Sequence, residues 1–547
     1  MAIVEAERTQ TPTPVSKRRT AVSWLVTGLA AVLVFGSLVA PDRLSRLTPL
    51  AFLRIPVEAL LAAGLFLVLP LRARRFVAPA LGVLLGLTTI AKVFDIGFNA
   101  SLARPFDPWS DWGFLPPAVD FLERNSGHTK AVLAVVGAIA LVVVVLTLSA
   151  LSVVRLSTLA ASHRTVTARA AGALGVVWLL LAVIGVPVAS SSAAGTVYGK
   201  LHLTVLGFQD QRTFADRFAN DPYAATPADQ LLNGLRGKNV LLTFVESYGR
   251  SAIEDPGMAP RVNAILDAGT ASLRAAGYTA RSGFLTSSTA GGGSWLAHST
   301  LQSGLWITSE QRYNQFTASD RLTLSTAFKR AGWDTAGVMP ANRSDWPEGA
   351  LYGYDKIIDS RNIGYQGKTY SFQSIPDQYT LAALHRMELS APRQRPLFAE
   401  IDLMSSHAPW EPLPPLVDWN TIGDGATFTG AAGTYDPTDT VFQQAVDKVH
   451  SDYAETVEYS MTSLIQYLQR YGDDNLVMVF LGDHQPAPII TGDDASRDVP
   501  ITIVAKDPAV LNRISSWGWD DGLRPNPKAP VWRMDEFRDR FLQAFSK

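Results

Sequence analysis

Leu476-Val477-Met478-Val479-Phe480-Leu481-Gly482-Asp483-His484 is an apolar run that stops at Gly-Asp-His. Residues of this kind favour a pleated, buried strand, and the sequence predicts one over 476–480. Asp483 and His484 then fall just past the C-terminal end of that strand, the edge at which open α/β sheets bind ligands. Together they offer a hard oxygen and a borderline nitrogen to a divalent metal. Four residues alone read equally well as an ordinary turn, so the rest of the chain has to decide.

Working outward, four more segments read as strands: 240–245, 335–338, 397–403 and 501–504. They alternate with helical periodicity near 259–276, 295–303, 319–331, 377–388 and 440–471. Strands separated by helices predict an α/β domain with a largely parallel central sheet. Residues 239–547 suffice for one large core. The Gly/Thr/Asp-rich stretch 420–439 reads as a surface loop, and 193–238 as a juxtamembrane linker.

The first 192 residues are of another kind. Five apolar runs, at 21–40, 55–71, 76–96, 131–153 and 171–190, predict a five-span transmembrane anchor. A span needs about 20 apolar residues, and the second run is the shortest. Lys17, Arg18 and Arg19, then Arg72, Arg74 and Arg75, then Arg155, Arg164 and Arg169 fall on one side, which the positive-inside rule makes cytoplasmic. Arg43, Arg46 and Arg54 depart from that rule. Five spans from a cytoplasmic N-terminus put everything after about residue 195 outside, and Ala/Arg/Val-rich usage suggests that the membrane is a bacterial plasma membrane. The aromatics Phe106, Trp109, Trp112 and Phe114 suit the headgroup layer. A net charge of −1 gives no electrostatic footprint for nucleic acid. The absence of cysteine excludes disulfides, zinc–thiolate sites and a Cys nucleophile.

Three further segments carry chemistry. Strand 240–245 leads into Glu246-Ser247-Tyr248-Gly249, a second carboxylate at a strand end. Thr289-Ala290-Gly291-Gly292-Gly293-Ser294 puts three glycines before a hydroxyl at a predicted helix start, where free N–H groups and the helix dipole favour an anion. A plain Ser N-cap is the alternative. His298, four residues on, shares the helical face of Ser294. Finally, Phe398-Ala399-Glu400-Ile401-Asp402-Leu403 runs into His407-Ala408-Pro409-Trp410, a His placed to bind substrate or donate a proton.

In this order, Glu246, the Gly-rich loop with Ser294, His407 and Asp483-His484, behind five spans, the chain resembles the lipoteichoic acid synthase family. These are membrane phosphoglycerol transferases of the sulfatase/alkaline-phosphatase superfamily. The loop has the length of that family's Thr-Gly-x-Gly-x-Thr, with Ser in place of the nucleophilic Thr. Ser294 also precedes Gly304 by the ten positions of the sulfatase signature. The resemblance implies one divalent cation, Mn²⁺ or Mg²⁺, on Glu246, Ser294, Asp483 and His484. It implies a catalytic role for Ser294 and substrate contacts from His407 and Trp346. Beside it, His407 or His298 is a candidate to protonate the leaving alkoxide, and Arg343 is either a substrate-binding charge or a solvated surface residue. Glu348 stands where the family has a phosphate-contacting Arg. Leu296 and His298 replace the Pro and Arg that guide formylglycine formation, which argues against a sulfatase.

The expected activity is transfer of glycerophosphate from phosphatidylglycerol to a cell-envelope glycan or glycolipid through a covalent Ser294 intermediate. The alternatives are a phosphoester hydrolase, a phosphoethanolamine transferase, or a non-catalytic lipid- or glycan-binding relative.

Overall fold

A computed structural model describes residues 17–186, 188–190, 192–370, 374–429 and 444–546. The second half of the loop expected at 420–439, and the first residues of the helix expected at 440–471, lie outside them. The chain forms two compact units, one of residues 1–97 and 105–205, the other of 98–104 and 206–547.

The first unit is helical. Helices α1 (Lys17–Val39), α2 (Val57–Val68), α3 (Leu71–Leu102), α4 (Leu115–Ser126), α5 (His128–Ser162) and α6 (Arg164–Val183) are followed by α7 (Ser192–Ala219), within which the second unit begins. Four of them, α1, α3, α5 and α6, are long and apolar enough to cross a membrane. The fifth expected span, 55–71, is α2, of only 12 residues. At 1.5 Å per residue it rises about 18 Å, short of a ~30 Å hydrocarbon core. Prolines bound it: Pro56 is its N-cap, and Pro70 lies between it and α3. Residues 193–238, read as a linker, contain most of α7, so a mixed composition there hides a long helix.

In the second unit the strands are β1 (Asn239–Val245), β2 (Thr279–Thr286), β3 (Asp334–Met339), β4 (Lys356–Asp359), β5 (Leu397–Leu403), β6 (Leu476–Gly482), β7 (Asp498–Ala505), β8 (Asp520–Asp521) and β9 (Val531–Arg533). They form one mixed sheet in the order β8-β2-β7-β6-β1-β5-β3-β4, with β9 also on β2. The five strands β6-β1-β5-β3-β4 are parallel, while β7 is antiparallel to both β6 and β2. All five strands expected from sequence are present. The polar β2 and the short β4, β8 and β9 were not legible as strands.

Alternation along β1 divides the core. Val240, Leu242 and Phe244 pack with Phe328, Phe398 and Phe541 on one face. Leu241 and Val245 pack on the other with Val262 and Leu266 of α8 (Ala259–Ala275) and Val457 and Leu464 of a helix over Val446–Tyr471. A strand buried on both faces reads as a continuous apolar run, as here.

Candidate active site

The three central strands β6, β1 and β5 end together, since Val245 is paired with both Gly482 and Leu403. Their parallel direction puts Glu246, Asp483-His484 and the loop to His407 on one edge. Gly482 is required there by crowding: a Cβ would come within 1.9 Å of the Tyr248 carbonyl oxygen. Ser247 has a left-handed backbone (φ 55°), and its N–H donates to Asp483 Oδ1 at 2.8 Å. That bond ties the two strand-end loops together, with local backbone strain held at the site.

Ser294 is the first residue of a helix over Ser294–Ser303. Gly291, Gly292 and Gly293 precede it with φ of 73°, 157° and 78°, conformations that L side chains resist. The loop is pinned by the Gly291 N–H donating to the Gln485 carbonyl at 2.8 Å. Thr289, the other hydroxyl of the loop, spends its own proton on the Gly292 carbonyl. The Ser294 hydroxyl reaches Glu246 Oε2 at 3.1 Å and His484 Nε2 at 3.3 Å.

Glu246, Asp483 and His484 are all buried, and one ligand atom from each lies within a 4.8 Å cluster. Asp483 Oδ1 accepts from the Ser247 and His484 N–H groups, whereas Oδ2 is buried without a hydrogen-bond partner. His484 Nδ1 faces the Gln485 carbonyl at 2.8 Å and therefore carries a proton, leaving Nε2 turned to the carboxylates. Burial alone would raise the Glu246 carboxyl. His484, His407 and hydrogen bonds from Ser247 and Ser294 outweigh it and bring it down to about 2. Asp483 is pushed up, by burial first and then by the Glu246 charge. Two buried carboxylates, one of them with an orphaned oxygen, and an inward imidazole nitrogen form a donor set that fits a divalent cation.

His298 lies on the same helix as Ser294, its ring stacked on Phe244 at 3.7 Å between centroids. Its Nδ1 is 3.1 Å from Glu400 Oε1 and 3.5 Å from Asp402 Oδ1. Burial alone would lower this imidazole; Asp402 and Glu400 more than offset it and raise it to about 9. Glu400 Oε2 also accepts from Gln302 and the Tyr354 hydroxyl. Sequence reasoning assigned no role to Glu400 or Asp402. The available signal was two carboxylates on one face of an otherwise apolar strand, each needing a buried partner.

His407 is half-buried beyond β5, with Nδ1 2.6 Å from the Ala408 carbonyl oxygen. The side chain of Ser406 holds this loop to the Glu246 carbonyl at 2.6 Å. Trp346 packs on Tyr352 at 5.4 Å, and the Tyr352 hydroxyl meets Ser299 of the Ser294 helix at 2.8 Å. Arg343 and Glu348 are exposed on that same connection. Thus Glu246, Ser294, Asp483 and His484 converge within hydrogen-bonding reach, and Trp346 is joined to the Ser294 helix through Tyr352.

Residues 238–495 match the Sulfatase family model. No curated protein matches the sequence significantly. Among solved structures, the lipoteichoic acid synthase LtaP of Listeria monocytogenes is 14% identical, covering 62% of this chain and 78% of its own, with a TM-score of 0.37. The Streptococcus pyogenes phosphoglycerol transferase GacH, solved with sn-glycerol-1-phosphate, is 12% identical over 61% and 90%, with a TM-score of 0.36. The C-terminal periplasmic domain of EptC from Escherichia coli, in complex with Zn, is 13% identical over 59% and 87%, with a TM-score of 0.39.

Proposed function

Starting from a Sulfatase-family domain that follows apolar helices of membrane length, we propose that this protein is a membrane-anchored phosphotransferase that moves glycerophosphate from phosphatidylglycerol to a hydroxyl of an envelope glycan or glycolipid. One observation carries the reading: the Ser294 hydroxyl stands at a helix N-terminus and within 3.3 Å of both Glu246 and His484. A Ser in that position is a nucleophile in waiting, since the Glu246 carboxylate accepts its hydrogen bond and the helix N-terminus favours the charge that develops.

Glu246, Ser294, Asp483 and His484 would hold one Mn²⁺ or Mg²⁺, which when bound lowers the hydroxyl pKa and neutralises charge on phosphate oxygens. Ser294 Oγ forms a bond to phosphorus as the bond to the diacylglycerol oxygen breaks, and that oxygen takes a proton from His298 or His407. An acceptor hydroxyl then gives its proton to the histidine left deprotonated by the first step, its oxygen bonds to phosphorus, and the bond from phosphorus to Ser294 Oγ breaks, returning Oγ to the deprotonated state in which it attacked. Glu400 and Asp402 keep His298 protonated for the first step. Trp346 and Arg343 contact the transferred group. In this reading residues 1–192 anchor the protein, 193–238 connect, and 239–547 work outside the plasma membrane, a placement that rests on the donor and acceptor proposed and not on a count of spans.

The test uses the full-length protein in detergent with a fluorescent phosphatidylglycerol and Mn²⁺, wild type beside Ser294→Ala. The expected result is metal-dependent diacylglycerol release and a glycerophosphoryl adduct on the wild type alone. Turnover that survives Ser294→Ala sinks the nucleophile assignment. Release from phosphatidylethanolamine or a soluble phosphoester instead overturns the donor, and transfer to water alone makes the protein a hydrolase. No turnover on any donor despite bound metal leaves a non-catalytic binder.

A further inference from the structure

The helical unit contains a cavity of about 350 Å³ that no step above uses. It lies where α1 ends, where the last turns of α3 begin and where α7 starts. Arg46, Arg54, Lys92 and Lys200 line it, against only Asp42 and Asp95. Lys200 is neutralised by Asp95, with which it pairs directly. Lys92 is spent on neutral acceptors instead: the carbonyls of Ser37 and Leu38 at 3.1 Å, and Ser192 Oγ at 3.4 Å. No carboxylate is among those contacts, and Glu58 and Asp42 act on its charge only from a distance. The guanidinium groups of Arg46 and Arg54 have neither hydrogen-bond nor ion-pair partners among the described residues. These two arginines are also among those that break the sequence's positive-inside pattern.

Two further observations bear on what fills the cavity. The connection that carries the arginines exposes Leu44, Leu47, Leu50, Phe52 and Leu53, each at least 41% accessible. Alternation of bare apolar side chains with arginine suits the boundary between acyl chains and headgroups. The adjacent face of α7, through Ala193, Val197 and Leu201, lines a second and apolar cavity of about 690 Å³. One helix thus separates a cationic hollow from an apolar one, the same pairing that a phospholipid has in its headgroup and tails. Cations at the level of the headgroups attract anionic lipid, and guanidinium groups suit a phosphate.

We propose that this cavity binds the phosphate of an anionic phospholipid headgroup, at Arg46 and Arg54, as a site separate from the Ser294 centre. Its volume falls in the range of small-ligand pockets. The assignment does not depend on the transferase reading, because it concerns retention of a lipid and not its turnover.

The experiment is native mass spectrometry of the full-length protein, stripped of metal with EDTA so that no turnover intervenes. The protein is released from vesicles of equal phosphatidylglycerol and phosphatidylcholine. The wild type is expected to retain phosphatidylglycerol in preference. The Arg46→Ala/Arg54→Ala pair should lose about tenfold in that retention, the scale of a charge-assisted contact. Arg46→Lys/Arg54→Lys should keep only the part that a point charge supplies, with unchanged helical circular dichroism in both. Equal retention of the two lipids by the wild type overturns the proposal without any variant. So does undiminished phosphatidylglycerol on a folded alanine pair. Soluble glycerol phosphate that binds the wild type as tightly as the lipid, and is lost in the alanine pair, assigns the cavity to a free ester and overturns the lipid.

Discussion

His484 turns Nε2 to the Ser294 hydroxyl at 3.3 Å and holds that pose by donating Nδ1–H to the Gln485 carbonyl at 2.8 Å. Any second proton on this ring must sit on Nε2, between Glu246 and Asp483, in the place a cation would take. Proton and metal therefore compete for one position.

Metal binding should release protons and weaken as pH falls. Calorimetric titration of Mn²⁺ in two buffers of different ionisation enthalpy counts the protons directly. His484→Gln should lower affinity by more than the ~10–100-fold typical of an outer-shell partner. A pH-independent affinity, or one unmoved in His484→Gln, removes His484 from the ligand set.

Asp483→Asn should stabilise the metal-free protein while abolishing its response to metal. The carboxylate is buried, and Oδ2 has no hydrogen-bond partner but lies 3.4 Å from His484 Nε2. An amide placed there keeps the Oδ1 contacts, donates to that nitrogen and carries no charge. Thermal melts should show the variant about 1–3 °C above the metal-free wild type, the shift of roughly 1 kcal/mol in a domain this large. Saturating Mn²⁺ at about 100 times Kd should raise the wild type by a few degrees, for about 2.7 kcal/mol, and leave the variant unmoved.

The His298 clamp predicts a basic limb in the activity profile. Its folded pKa is raised to about 9 from an ordinary 6.5. The stability it contributes is therefore fully present below about 6.5 and is lost as pH rises through about 9. As a proton donor to the leaving oxygen, it also loses its function over the upper part of that range. Glu400→Gln should move the imidazole titration, followed by ¹⁵N NMR, and the fall in kcat to lower pH together. A kcat profile that stays in place while the imidazole moves leaves Glu400 structural only.

Gly482→Ala tests the crossing of the two strand-end loops. A methyl 1.9 Å from the Tyr248 carbonyl oxygen has to displace one loop. The expected cost is about 1–3 kcal/mol of stability, the range for overpacking, with loss of metal affinity in the same variant. A melt and an Mn²⁺ titration read both.

What the sequence disclosed of this site follows from where each residue lies along the chain. Glu246 and Asp483-His484 could be found because each ends an uninterrupted apolar strand, and parallel strands bring such ends to one edge by topology. The Gly-rich run before Ser294 was legible because three successive glycines signal backbone that other residues resist. Glu400 was hidden by a different cause. Its partner His298 sits 102 positions away on a helix, and no local pattern reports which helix covers a given strand face. The strand β2 was missed because its polar first half, Thr279-Ala280-Arg281-Ser282, lacks the apolar run that betrays the central strands. The short α2 shows the converse, since hydropathy extends through Pro56 and Pro70 where the helix cannot.

The pairing of Val245 with Gly482 makes the sheet a ruler for the cation. Neighbouring strands stand about 4.8 Å apart, little more than twice a metal–oxygen bond of ~2.1 Å, and neither strand can shift without slipping the whole ladder. The short arm of Asp483 and the longer arm of Glu246 would therefore set how far from each strand a bound ion could rest. Exchanging the two, by Glu246→Asp with Asp483→Glu, would keep every charge and every donor type. It would nonetheless slide the ion sideways by about one methylene, away from a Ser294 held in place by its own helix.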